Sequence, residues 1–468
     1  MASIAGGMKA IADPDNALGR GLAAIRDQFK VPADFPATVL SAANDAANRA
    51  PAAHADRTAM RFVTLDPASS TDLDQAFAIE TAGSDVLLHY AIADVAWFVD
   101  DGGPIDTEAW TRGETLYLPD GKAPLYPPVL SQGAASLLPD GPRPAVVFTV
   151  RVAPDGAVRL DGAERAVIRS QAKLAYETVT DADVPAGFAE LARRIAAAED
   201  ARGAARVDPP QQEVDAVPGG GFELAFRPYT PSEDRNAALS LATNMAIADA
   251  LQAHHTGLFR VMAEPDDGAV RRLRHTAAAF HLDWPGSVAL EQFERTLDPA
   301  DPKQAAFMLA IRRAGHGASY VPYQEGVVPW HSAMAATYAH ATAPLRRLAD
   351  RYVVMATLAI ANGQPVPSAV NEAFAKLPQV MAKADGLAGR VERAVVDLAE
   401  TVLLHGQIGD TFPAVVTDVD ERGAQMQLAD LPVVARVAAR NVTPGDTLRV
   451  RLASADPMQW TLHFDRVN

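Results

Sequence analysis

Five short runs of β-type residues crowd the last sixty or so positions: FPAVVTDV, AQMQLA, PVVARV, TLRVRLAS and MQWTLHF. Turns are expected at Glu421-Arg422-Gly423 and Pro444-Gly445-Asp446. So many brief strands in so little chain predict a small closed barrel of the OB type over residues 407–468. The rest of the 468 residues is too long for one ordinary core,. ALGRGLAAIRDQF places Leu18, Leu22, Ile25 and Phe29 on one helical face, and a second helix is expected after Phe35-Pro36. Residues 1–57 thus read as a small helical domain of helix-turn-helix size. From about residue 61 the pattern turns to strands: FVTL, DVLLHYAIADVAWFV, and PAVVFTVRVAPDGAVRL around a Pro-Asp-Gly turn. Helical segments are expected again near 171–202, 234–255, 304–315, 332–361 and 367–406. PGGG at 218–221 lacks a strand–Gly–helix setting and reads as a turn. The fold class is α+β, in several domains, with residues 58–406 as the middle one.

Composition narrows the chemistry. There is no cysteine, which removes disulfides, thiolate nucleophiles and cysteine-held zinc or iron–sulfur centres. No GxxxxGK[ST], HExxH or GxSxG occurs. MASIAGGMKAIADPDN shows no charged head before an apolar core, so no secretory signal is expected. YVVMATLAIA, the longest apolar run, is shorter than a membrane span and reads as a buried helix. A cytoplasmic, monomeric protein is expected. The formal charge of −16 argues against a uniformly basic nucleic-acid binder, but a cation-holding acidic site inside a locally basic channel remains compatible with it.

FVTLDPASSTDLDQA carries the sharpest signal. Asp72 and Asp74 are two apart and project from the same side of an extended segment. Asp66 is separated from them by a loop long enough to turn back. Three hard oxygen donors suit Mg²⁺ or Mn²⁺. The DxDxDG order of a calcium loop is absent. Taken alone, the spacing fits a solvated acid cluster at a strand end equally well.

FVTLDPASSTDLDQA followed by HYAIADVAWFV resembles the opening of the RNB catalytic domain of the ribonuclease II and ribonuclease R family. YAHATAPLRRLADRY (338–352) resembles that family's second signature. TLYLPDG, KLAYE, GRVERAVVD and the terminal strands follow in the family's order, so the resemblance runs from about residue 60 to the end. It implies an RNB fold with a C-terminal S1-type OB barrel. It also implies processive, metal-assisted 3′-to-5′ hydrolysis of single-stranded RNA with a free 3′ end, giving nucleoside 5′-monophosphates. Asp66, Asp72 and Asp74 are then metal-holding carboxylates, with Asp74 the one activity most depends on, and Mg²⁺ or Mn²⁺ the cofactor. Arg346 corresponds to the arginine on the scissile phosphate, and Arg347 to a phosphate contact. Tyr117 and Tyr176 correspond to tyrosines at the 3′ nucleotides, Glu392 to a glutamate seating the terminal one, and Phe222 or Phe226 to an opposing stacking wall. The family's fourth acid is Gln75 here, expected with Asp94 in the shell around the metal. Leu348 and Val354-Met355 also depart from the pattern. His340 reads as structural. An RNA-binding protein of the same fold that has lost catalysis through Gln75 is the alternative, and a metal phosphodiesterase acting on another nucleic acid is a third reading. Family members carry two cold-shock barrels ahead of the catalytic domain; the helical leader here implies a short form with a shallower gate.

Overall fold

Alternating apolar residues build the central sheet until its strands pass beneath helices, where both faces are buried. The computed structural model describes residues 9–13, 15–204, 211–217, 221–227, 230–298, 301–315, 317–420, 423–439 and 441–467. Seven strands form the sheet: β1 (Ala55–Asp56), β2 (Phe62–Asp66), β3 (Gln75–Ala82), β4 (Asp85–Ala93), β5 (Arg143–Val152), β6 (Val158–Ile168) and β7 (Ser170–Ala175). Their spatial order is β7-β2-β3-β4-β5-β6-β1. β7 runs parallel to β2 and β1 parallel to β6, while the intervening pairs are antiparallel. In β4, Val86, Leu88 and Tyr90 are buried while Leu87 and His89 are only partly so; Ala91, Ile92 and Ala93 are then all buried,. Gly83, at φ 65°, makes the tight turn between β3 and β4,.

Two helices close the sheet: α3 (Pro231–Ala253) and α4 (Leu348–Ala361). Thr230 and Glu233 form a reciprocal capping box at the start of α3,. Phe62, Phe77, Tyr90 and Phe148 of the sheet share one core with Ile247 and Val353 of these helices. A 37-residue helix, α5 (Ser368–Leu404), then links three apolar cores. Its Val370, Phe374 and Met381 belong to the main core, and Val391, Val395 and Leu398 to a second one. Leu404 enters the core of the terminal barrel.

The leader contributes α1 (Ala17–Phe29) and α2 (Ala37–Ala47). Leu18, Leu22 and Ile25 of α1 pack on α5, and Val39, Ala43 and Ala46 of α2 lie in the main core. These helices have no apolar cluster of their own among the described residues. Lys9–Ile11 is a short strand paired with Phe222–Arg227, which also pairs with Gln211–Ala216. Helices Asp267–Ala279, Leu290–Glu294 and Pro302–Ala314 enclose a small separate core around Phe280, Phe293 and Phe307.

The five terminal strands, β8 (Thr411–Asp420), β9 (Gly423–Leu428), β10 (Val434–Val437), β11 (Thr447–Asp456) and β12 (Thr461–Val467), close as a barrel in the order β8-β9-β10-β12-β11. Gly445 makes its expected turn at φ 92°. Residues 421–422 of the other turn, and 218–220 of PGGG, lie outside the described residues.

Two helical expectations are corrected. Of the segment expected as helix over 171–202, residues 171–175 belong to β7, because pairing with β2 overrides their weak helical pattern, and the helix starts only at Phe188,. The segment expected as helix from 332 makes one 3-10 turn at Ser332–Met334 and becomes α-helical only at Leu348. Pro344 lies just ahead of that start and disfavours helical backbone at the residue before it. Among the described residues no helix is long and apolar enough to cross a membrane.

Candidate active site

The acids gather where β2 ends and β3 begins. Asp66 is the last residue of β2 and Gln75 the first of β3, so Asp72 and Asp74 lie on the loop between them. Leu73 anchors that loop by complete burial. Its N–H donates to Ser136 Oγ at 2.8 Å, and its carbonyl accepts from Leu137 at 2.9 Å. With Leu73 inward, the flanking Asp72 and Asp74 project the other way. Lys173 Nζ ties the loop from outside, donating to the carbonyls of Ala68 at 2.7 Å and Ser70 at 2.5 Å.

The segment before α4 meets this loop. Asp74 Oδ1 accepts from the Leu345 N–H at 2.7 Å, and Arg346 Nε stands 3.6 Å from Asp74 Oδ2. The Arg346 side chain is 46% exposed, so its guanidinium can receive a ligand. Arg347 turns inward and forks onto the fully buried Asp350 at 3.0 and 2.8 Å. Asp350 also accepts from the Ala343 N–H at 2.8 Å. The two neighbouring arginines therefore differ: Arg346 faces the acids, while Arg347 holds the backbone that presents it.

Burial dominates the electrostatics. It pushes the Asp74 carboxyl up to about 8, against the opposing pull of Arg346 and the Leu345 N–H,. It pushes Asp66 up to about 7, again with Arg346 opposing. Both carboxyls are short of positive charge. A divalent cation would supply it, and their oxygen donors suit a hard one.

Asp72 is differently placed. Lys122 Nζ lies 2.6 Å from its Oδ1, and the Tyr117 hydroxyl donates to its Oδ2 at 3.1 Å. Tyr117 and Lys122 are cross-strand partners in the hairpin Leu116–Leu118/Gly121–Ala123. Among the described residues, no three His, Asp or Glu side chains stand ready together as a ligand set.

Gln75 spends its amide on the fold. Its Nε2 donates to the Thr342 carbonyl at 2.7 Å; its Oε1 accepts from Ser240 Oγ at 3.2 Å and from the Tyr90 hydroxyl. The two hydroxyls also bond each other at 2.8 Å, so their two protons are shared among three contacts and Gln75 is held in the fold by this cluster. Tyr176 lies beside the acids, its N–H donating to the Asp66 carbonyl at 3.2 Å and its hydroxyl accepting from Asn236 at 2.8 Å.

Other expected residues lie elsewhere. Asp94 is buried toward the β6–β1 edge, with His54 Nε2 at 3.1 Å and Arg165 Nε at 2.9 Å from its Oδ2. Glu392 and Phe226 line a cleft of about 890 Å³ between α5, the helix Pro302–Ala314 and the barrel. Phe222 packs against the α1–α5 core. His340 bonds the Tyr320 hydroxyl at 2.8 Å between two tyrosine rings, and burial holds its pKa far below the usual value, so it is neutral. Sequence reading missed Lys122. The signal was its position opposite Tyr117 across a two-residue turn, which puts both side chains on one face of the hairpin.

The RNB domain profile matches residues 55–362, and the RNase II-type exonuclease C-terminal S1 domain profile matches 410–467. Ribonuclease R from Aquifex aeolicus is 27% identical over 413 residues, covering 81% of this chain and 57% of its own length. The chain spans about half the length of the curated relatives it matches. Among solved structures, ribonuclease R of Mycoplasma genitalium superposes with a TM-score of 0.85 both free and in complex with ribose methylated single-stranded RNA. Identity is 21% and 20%, over 97% of this chain and 78% of that one. Yeast Ssd1, a pseudonuclease, superposes with a TM-score of 0.68 at 16% identity, over 94% of this chain and 57% of its own. The acid loop, the arginine segment that meets it and the closed terminal barrel all fall within the matched spans: the chain belongs to the RNB-domain family and carries a C-terminal S1 domain of the RNase II type.

Proposed function

We propose that this chain hydrolyses single-stranded RNA processively from the 3′ end, releasing nucleoside 5′-monophosphates with help from Mg²⁺ or Mn²⁺. One observation carries the reading: Arg346, half exposed, stands 3.6 Å from the buried Asp74, an exposed cation beside a carboxyl that is itself short of positive charge. Asp66 and Asp74 would hold the metal ion, with Asp72 on its flank. Bound there, the ion would lower the pKa of a water and neutralise phosphoryl oxygens. In the reaction a water oxygen bonds to phosphorus, the bond from phosphorus to the preceding 3′ oxygen breaks, and that oxygen takes up a proton. Arg346 can pair with two phosphoryl oxygens and stabilise the charge that grows on them. Tyr117 is 55% exposed at the rim, and its ring offers a stacking surface to any base. Tyr176, fixed through Asn236, can pack against the terminal nucleotide. The Mycoplasma relative's single-stranded RNA complex supports this class of ligand.

A second reading has a specific support. The amide of Gln75 is committed to Thr342, Ser240 and Tyr90, and a pseudonuclease shares the fold. An RNA-binding protein without catalysis would look similar. The test is 5′-labelled single-stranded RNA and DNA incubated with purified protein, with and without Mg²⁺, and the products sized on a gel. Metal-dependent shortening of RNA from its 3′ end is expected. Tight RNA binding with no shortening in Mg²⁺ or Mn²⁺ would favour the second reading.

A further inference from the structure

Three carboxylates lie on or beside the loop between β2 and β3, yet one already has a cation. Lys122 Nζ sits 2.6 Å from Asp72 Oδ1, and its side chain is only 20% exposed. The ammonium is held there by architecture. Leu116, Leu118 and Ala123 of its hairpin are buried in the α1–α5 core, and Arg26 of α1 pairs with Asp120 at the turn at 2.7 Å. The Tyr117 hydroxyl takes the other oxygen of Asp72. The Gln75 amide is held by Thr342, Tyr90 and Ser240 and brings no charge to the cluster. What remains for metal is Asp66 and Asp74, and two carboxylates with substrate phosphates are enough for one Mg²⁺. A second divalent ion, about 4 Å from the first as in two-metal sites, would have to share Asp72 with an ammonium that repels it.

We infer that Lys122 is a built-in cation of the active site: its ammonium occupies Asp72 in place of a second metal ion and faces the phosphate path, so that one divalent ion per chain suffices. This rests on the metal-assisted reading proposed above. In the complex Lys122 keeps Asp72 neutralised and offers its remaining N–H donors to a phosphoryl oxygen, as a point charge beside the fork of Arg346.

Counting bound Mn²⁺ tests this without RNA or turnover. Mn²⁺ is titrated into the full chain, and the free ion is followed by electron paramagnetic resonance. One Mn²⁺ per chain is expected for the wild type and for Lys122→Arg. Two are expected for Lys122→Gln and Lys122→Met, which free Asp72; either serves if the other fails to fold, as judged by circular dichroism. In turnover, the neutral variants should lose on the order of 10²-fold in kcat at low Mg²⁺. They should recover part of it at high Mg²⁺ with a steeper metal dependence, and Lys122→Arg should not need that rescue. Two ions in the wild type, or one in the folded neutral variants, would overturn the inference. No bound Mn²⁺ in any variant would overturn it together with the metal-assisted reading. Counts of one and two in a protein that never shortens RNA would leave it standing and refute only the hydrolase reading.

Discussion

Asp74 and Arg346 share one contact, and their substitutions should separate chemistry from binding. In Asp74→Asn the side-chain oxygen can still accept from the Leu345 N–H, now at 2.7 Å, so the fold should persist. The charge that would hold a metal ion is lost, and hydrolysis should fall below detection while RNA affinity stays within a few-fold. Arg346→Ala should lower kcat by about 10²–10³, the usual loss when one charge-stabilising donor is removed. Its half-exposed side chain predicts little change in Tm. Single-turnover rates and anisotropy binding curves for both variants check this; near-wild-type turnover in Asp74→Asn would sink the site assignment. Gln75 makes a different prediction. Gln75→Glu keeps the shape and the acceptor for Tyr90 and Ser240 but turns an oxygen toward the Thr342 carbonyl. At neutral pH that buried carbonyl loses its donor, at a cost of about 1–3 kcal/mol. The deficit should shrink in acid, where the new carboxyl protonates and can donate again. Denaturant unfolding of both proteins at pH 5 and pH 8 measures it.

At the scale of elements, α5 is the strut that joins the sheet to the barrel, and Glu400 sits at the joint. Its Oε1 accepts from Gln212 Nε2 at 2.6 Å and from the Val434 N–H of β10 at 2.7 Å. Burial pushes its carboxyl from the ordinary 4.5 up to about 8, with both hydrogen bonds opposing. The sign follows from proton counting. Below about 4.5 the folded and unfolded chains both hold the proton, and no penalty exists,. Between 4.5 and about 8 only the unfolded chain releases it, so stability drains away at about 1.4 kcal/mol per pH unit; above 8 the loss is constant,. Glu400→Gln keeps the acceptor and removes the ionisation. Its stability advantage over wild type should be near zero at pH 4.5, grow to several kcal/mol by pH 8 and then level off,. A difference independent of pH would show that Glu400 is not buried at the joint.

For the whole molecule, charge placement matters more than the total of −16. Arg312, Arg313, Arg393 and Arg436 line the cleft between α5, the barrel and the helix Pro302–Ala314. Arg313 has Asp418 no closer than 3.8 Å, and burial works against its charge. An anionic strand entering there would relieve both. The expected outcome is that Arg312→Ala/Arg313→Ala weakens single-stranded RNA binding and flattens the dependence of log affinity on log salt by roughly 0.7 per lost phosphate contact. Anisotropy titrations across a KCl series decide it, and an unchanged slope would place the RNA path elsewhere.

Local patterning was enough for the barrel, whose five runs became its five strands, and for the existence of α3, though its Thr230 cap and Pro231 start it ahead of the expected 234. It was enough to put Asp66 at a strand end and Asp72 and Asp74 on the loop that follows, because that is a short-range constraint. It was not enough for β7 or for the start of α4. There pairing with β2, and the bonds from Ala343 and Arg347 to Asp350, outweigh weak local preference. Nor could it divide the labour of adjacent groups. Arg346 faces the acids and Arg347 the core; Gln75 braces Thr342; Asp94 answers His54 and Arg165; Asp72 already holds Lys122. Apart from Arg347 and Asp350, three residues apart, each of those assignments is a contact between residues far apart in the chain. The sequence determined which chemical groups are present and which short segments carry them. The tertiary structure alone decided which partner each group meets, because a buried charge or amide is settled by whichever opposite charge or hydrogen-bond partner the folded chain brings within reach.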